Sequence, residues 1–181
     1  MDIETGSSLE QGPVAGFLWF ASFVARAGAV LAAVLMAAMT LHVMLEIVLR
    51  AFFNTSTFVL DEFVGYGVAA MTFMTLGHAL ETGSLIRVNI LLARIRSQAG
   101  RLLVELTCAA TALVLSGYIA GYFWKSVLRN FTRGATSETI AEVPLWIPEA
   151  FVLIGLVIFM IQLLAYMVRL ALGQSLPVGQ E

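Results

Sequence analysis

Charge is scarce in this 181-residue sequence: 12% of its residues are Asp, Glu, Lys or Arg, against about 25% in an average soluble protein. With 60% of residues hydrophobic and a mean hydropathy of +0.91, that shortage excludes a water-soluble globule and points to a membrane protein. Cysteine is nearly missing. The single Cys108 excludes an intrachain disulfide and any cysteine-built metal cluster, and its apolar surroundings make it a small packing residue. The tail before Pro13 carries Asp2, Glu4 and Glu10 and no Lys or Arg, so it lacks the basic start of a secretory signal, and the first hydrophobic segment is expected to stay in the mature chain. A formal net charge of -2 leaves no basic surface for nucleic acid. Length excludes more. A membrane-spanning helix takes about 20 residues, and four of them leave no room for a separate catalytic, nucleotide-binding or solute-binding domain.

The positions of the few charges mark the spans, because a charge at the bilayer centre costs about 2.5–3.5 kcal/mol on insertion scales. Four charge-free stretches result: Ala27 to Leu45 between Arg26 and Glu46, Phe63 to Leu80 between Glu62 and Glu81, Leu106 to Trp124 between Glu105 and Lys125, and Ala150 to Val168 between Glu149 and Arg169. The expected fold is an all-α membrane protein with four transmembrane helices, over about 27–49, 62–80, 104–124 and 148–169, and short amphipathic interfacial segments. Residues 27–172 then form one membrane domain, 1–26 a tail and interfacial lead-in, and 173–181 a second tail. Within the lead-in, Val14 to Ala25 is apolar and aromatic but too short to span. It reads either as a surface segment anchored by Phe17, Trp19, Phe20 and Phe23, or as the start of a long tilted first helix with Arg26 snorkelling.

Orientation follows the basic residues. With the amino terminus inside, the inner side holds six of them (Arg26, Arg87, Arg94, Arg96, Arg101 and Arg169) and the outer side four (Arg50, Lys125, Arg129 and Arg133). Both termini are therefore expected in the cytoplasm. Among the connections, Asn54 to Thr57 supply turn and cap formers after the first helix, and Asp61 and Glu62 suit the positive end of the second helix dipole. Ile86 to Arg101 alternates apolar residues with arginines and reads as an amphipathic segment on the inner face. Pro144 and Pro148 bracket Trp146 at the start of the fourth helix, where an aromatic at headgroup level and a proline in the first turn both fit.

Little chemistry is visible. His42 and His78 lie on different spans at depths about 14 Å apart, given a 1.5 Å rise per residue, too far to ligate one metal or haem, so no metal and no cofactor are expected. An autonomous transporter should carry an ionisable group or a broken helix near mid-membrane; Glu46, Asp61, Glu62, Glu81, Glu105 and Glu149 all sit at or near span ends, and no proline interrupts a span. Thr72, Thr75, Thr107, Thr111, Ser116 and Gln162 read as packing or interhelical hydrogen-bonding residues. Gly117 and Gly121 form a GxxxG pattern that favours close approach of another helix. No catalytic constellation is present and the chain is not expected to be an enzyme.

Four local patterns, in this order and spacing, resemble the small membrane subunit of tripartite ATP-independent periplasmic (TRAP) transporters over about Arg26 to Leu172. Span one closes with Ile47-Val48-Leu49-Arg50-Ala51-Phe52-Phe53-Asn54, and span two opens with Leu60-Asp61-Glu62-Phe63. Gly77-His78-Ala79, Gly83 and Ile86-Arg87-Val88 fit a family segment that normally reads Gly-x-His-Ile-Arg-Val-Asp, although Leu85 replaces the usual His and Asn89 the usual Asp. Val143-Pro144-Leu145-Trp146-Ile147-Pro148, followed by Gly155, is similar to the family's approach to its last helix.

The resemblance implies a subunit of the bacterial inner membrane with both termini inside. It implies pairing with a large membrane subunit as a heterodimer, and a periplasmic binding protein that delivers an organic anion such as a carboxylate for ion-gradient-driven uptake. On that reading the chain braces the large subunit and holds no substrate site of its own. Arg50, Asp61, Glu62, Arg87 and Trp146 are expected to hold the connections or to touch the partner, the alternative being that they are ordinary interfacial anchors. Competing readings are a stand-alone four-helix assembly or anchoring protein and an autonomous small transporter.

Overall fold

The computed structural model describes residues 13–84 and 98–172. Among them are four helices, α1 (Pro13–Phe53), α2 (Leu60–Glu81), α3 (Gln98–Arg133) and α4 (Trp146–Ala171), each long and apolar enough to cross a membrane. The fold is all-α. Arg87 and most of the expected amphipathic segment, residues 86–97, lie outside the described residues.

Two helices are longer than a bilayer requires. At 1.5 Å per residue, the 41 residues of α1 and the 36 of α3 reach about 62 and 54 Å, whereas a hydrocarbon core is about 30 Å thick. The apolar lead-in Val14 to Ala25 is therefore part of one unbroken helix, the second of the two readings open in the sequence. At the other end, α3 begins at Gln98, upstream of Glu105, and runs past Lys125 to Arg133. Flanking charges mark where hydrocarbon ends, and a helix with satisfied backbone hydrogen bonds continues through the interface beyond them.

Helices α2 and α4 form the centre, with α1 packed on both and α3 packed on α4. Close approach is set by glycine. A Cβ on Gly155 would lie 2.6 Å from the Phe73 backbone, and one on Gly28 would lie 2.9 Å from the Met74 carbonyl oxygen, so α4 and α1 meet α2 at successive residues with backbone nearly touching side-chain-free backbone. Around the first crossing, Ala120, Val152 and Leu156 are buried with Ala69, Phe73, Phe123, Leu153 and Met160 packed against them. Because lipid tails are as apolar as leucine, this packing is held by dispersion and fit rather than by escape from water. Of the expected GxxxG pair, Gly117 faces this core, where a Cβ would lie 3.6 Å from the Met160 side chain, whereas a Cβ on Gly121 would meet nothing within 4 Å, and Tyr118 is 79% exposed.

Turn chemistry closes the helices. Gly134 adopts φ 59 directly after α3, with its amide bonded to the Phe131 carbonyl and that of Ala135 to the Asn130 carbonyl, a Schellman cap that uses glycine's freedom at positive φ. Asn54, at φ 52, ends α1 in the same left-handed region. Asn54 to Thr57 thus end α1 as expected, and the hydroxyls of Ser56 and Thr57 go to Glu46, while Val59 stands at the N-cap of α2 with no side-chain bond.

Candidate functional site: polar ties at the two ends of the helices

Polar side chains gather at the two ends of the helices and join elements distant in sequence. The first tie is Glu46, buried to 1% exposure and level with the start of α2. Its Oε2 accepts the Thr57 amide at 3.0 Å and the Thr57 hydroxyl at 2.7 Å, while Oε1 accepts the Ser56 hydroxyl and the Arg50 Nε at 2.8 Å. The connection from α1 to α2 thus folds back along the last two turns of α1 and is pinned by one carboxylate. Arg50 closes the ion pair from the exposed side. A buried carboxylate persists near the membrane only when its lone pairs are taken up, and here the linker supplies the donors.

The second tie joins α3 to α4 at the same end. Glu149 accepts the Ser126 hydroxyl at 2.9 Å and the Asn130 side-chain amide at 3.0 and 2.9 Å, and Arg129 donates to Ser126 at 3.2 Å. The third joins α2 to the connection between α3 and α4. That connection is a small hairpin-like turn, with a bridge between Thr136 and Pro144 and backbone bonds from Ser137 to Val143 and from Leu145 to Ala135. From it the Thr139 hydroxyl donates to Glu62. Trp146 stands edge-on to Phe131, with ring centroids 5.5 Å apart, and wedges the start of α4 against the end of α3.

At the opposite end, the polar contacts among the described residues are longer. Tyr166 donates to Glu105 at 3.1 Å, Arg101 approaches the same carboxylate at 3.4 Å, and Arg169 reaches across to Ser22 at 3.3 Å. Gln162 is buried to 2% exposure with its Oε1 unpartnered, beside Glu81, Tyr166 and Arg169 around a cavity of about 10 Å³, room for about one water. The two histidines do not meet: His42 faces Phe63 at 6.1 Å, and His78 stands 3.9 Å from Glu81 at the other end of α2.

Of the residues singled out in the sequence, Arg50, Glu62 and Trp146 take part in contacts that close connections, but in three separate places. Asp61 is exposed next to Glu62. Sequence reasoning missed Glu46, Ser126, Asn130, Thr139 and Glu149 as tie residues. The signal for two of them was present: Ser126 and Asn130 share a helix face four residues apart near a span end, where polar side chains either reach lipid headgroups or a partner. In the sequence Glu46 and Glu149 read as span-end charges, and nothing there assigns their partners.

A family described as "Tripartite ATP-independent periplasmic transporters, DctQ component" matches residues 39–173. No curated protein matches the chain, and no solved structure does.

Proposed function

Since the chain belongs to the DctQ component family of tripartite ATP-independent periplasmic transporters, and is thereby a small membrane subunit of such a transporter, we propose that it braces the large membrane subunit and binds no substrate itself. The cargo is an organic anion such as a carboxylate, delivered by a periplasmic binding protein and driven by an ion gradient through the large subunit. The chain lies in the bacterial inner membrane with both termini cytoplasmic, and residues 27–172 act as one membrane domain.

The observation that carries this reading is the distribution of the polar ties. Glu46 with Thr57, Glu62 with Thr139 and Glu149 with Asn130 fasten every connection at one end of the helices, and α2 and α4 are locked between them at the Gly155 crossing. A unit tied in this way resists relative sliding of its helices, which suits a support against which another subunit moves. Long apolar faces remain on α1 and α3, with Leu41, Val114 and Tyr118 exposed, and these suit lipid on one side and a multi-span partner on the other.

The test is uptake by proteoliposomes. Vesicles with the large subunit, the binding protein and this chain should accumulate the anion under an imposed ion gradient, and vesicles with this chain and the binding protein but no large subunit should not. Uptake by the chain without the large subunit would refute the bracing role and restore the autonomous transporter.

A further inference from the structure

At the end of the helices where Arg169 meets Ser22, two arginines have no carboxylate partner among the described residues. Arg26 of α1 and Arg169 of α4 line one cleft of about 280 Å³ together with Leu18, Trp19, Ser22 and Phe23. That volume is near the lower end of the roughly 300–1,000 Å³ typical of small-molecule sites. Among the described residues, neither arginine has an ion pair within 4.0 Å; the ion pairs there are made by Arg50, His78 and Arg101. Glu81 borders Arg169 on its far side, in the separate small cavity. Arg169 is turned toward α1 by its bond to the Ser22 hydroxyl at 3.3 Å, so the two guanidinium groups face one space. On the outer wall Trp19 and Phe23 stack at 5.6 Å with their planes 14° apart, and both rings are exposed.

We propose that this cleft binds the phosphate of an anionic phospholipid, with Arg26 and Arg169 on the phosphate oxygens and the Trp19–Phe23 stack against the glycerol and upper acyl chain. Guanidinium groups offer forked donors matched to phosphate, tryptophan is at home at headgroup level, and basic clefts between transmembrane helices recruit anionic lipid heads. Ser22, to which Arg169 bonds, lies between Trp19 and Phe23 on α1, and Arg26 follows Phe23 within one turn, so the ring pair and the two guanidinium groups border the cleft at about one level. A lipid wedged there would glue the start of α1 to the end of α4, which the Arg169–Ser22 bond joins among the described residues. The inference does not depend on the transport role.

The test is native mass spectrometry of the full-length chain released from detergent after incubation with dioleoyl phosphatidylglycerol, dioleoyl phosphatidylcholine or inorganic phosphate. The wild-type chain should retain phosphatidylglycerol at least tenfold better than phosphatidylcholine and should hold no inorganic phosphate. Arg26→Gln with Arg169→Gln should remove that preference, and Arg26→Gln alone, at an exposed position where folding is not at stake, should reduce it at least threefold. Arg133→Gln, at the other end of the helices, should leave it unchanged. Equal retention of the two lipids, unchanged retention by both arginine variants, or binding of inorganic phosphate in place of the lipid would each overturn the proposal.

Discussion

The side-chain amide of Asn130 lies 3.0 and 2.9 Å from the two carboxylate oxygens of Glu149, so the last turns of α3 and the first turn of α4 are joined by a charge-assisted bond at the membrane end. Such bonds contribute about 1.5–3 kcal/mol. Asn130→Ala should therefore lower stability by about 1–3 kcal/mol, and Asn130→Asp, which sets a second carboxylate against Glu149, should lower it further. Thermal unfolding in mild detergent measures both. Equal stability of the Ala and Asp variants would mean that the contact carries no electrostatic weight.

Gly155 tests the crossing of α2 and α4. A methyl group there would sit 2.6 Å from the Phe73 backbone, a clash that only separation of two backbones relieves, and overpacking of this kind costs about 1–3 kcal/mol. Gly121 is the comparison. With open space around it, Gly121→Ala should change stability by no more than about 0.5 kcal/mol, or raise it slightly through helix propensity. The same unfolding assay should separate the two substitutions; similar losses at both would place a packing partner on the Gly121 face as well.

These two glycines show what the sequence could and could not say. Charge spacing placed four helices, because the cost of a charge in hydrocarbon is local and one-dimensional, and Trp146 with Pro148 sat where a helix start needs them. The ends of α1 and α3 were not legible, since nothing in a charge pattern stops a helix that continues through the interface. Crossings were not legible either: Gly117 and Gly121 have the spacing of a packing motif, yet Gly28 and Gly155, isolated in sequence, meet α2. The ties depend on pairs such as Glu62 with Thr139, far apart in the chain, and an unpaired polar residue at a span end reads the same whether its partner is water, lipid or protein.

Glu46 predicts the behaviour of the first connection. Its carboxylate takes up the Thr57 amide and hydroxyl, so Glu46→Ala should leave those donors unpartnered and free the linker from α1. Hydrogen exchange over residues 54–60 should accelerate and the melting temperature should fall. Arg50→Ala should do less on both measures, because Arg50 approaches from the exposed side and surface ion pairs contribute little. If Arg50→Ala matched Glu46→Ala, the ion pair rather than the linker hydrogen bonds would be the fastening.

Glu62 distinguishes an internal tie from direct contact with the large subunit. It accepts from Thr139, so if its task is to hold the turn between α3 and α4, Thr139→Val should reproduce Glu62→Ala: both should loosen residues 134–145 in hydrogen exchange, and both should reduce co-purification with the large subunit through displacement of that turn. If Glu62 instead meets the partner directly, Glu62→Ala should reduce co-purification several-fold while Thr139→Val leaves it intact. The hydroxyl is the informative atom, because its removal leaves the carboxylate's charge in place and changes only where the turn is held. We expect the two variants to behave alike, with Asp61→Ala, next door and exposed, having a smaller effect than either; a large loss at Asp61 with none at Thr139 would move the interface onto the first turn of α2 itself.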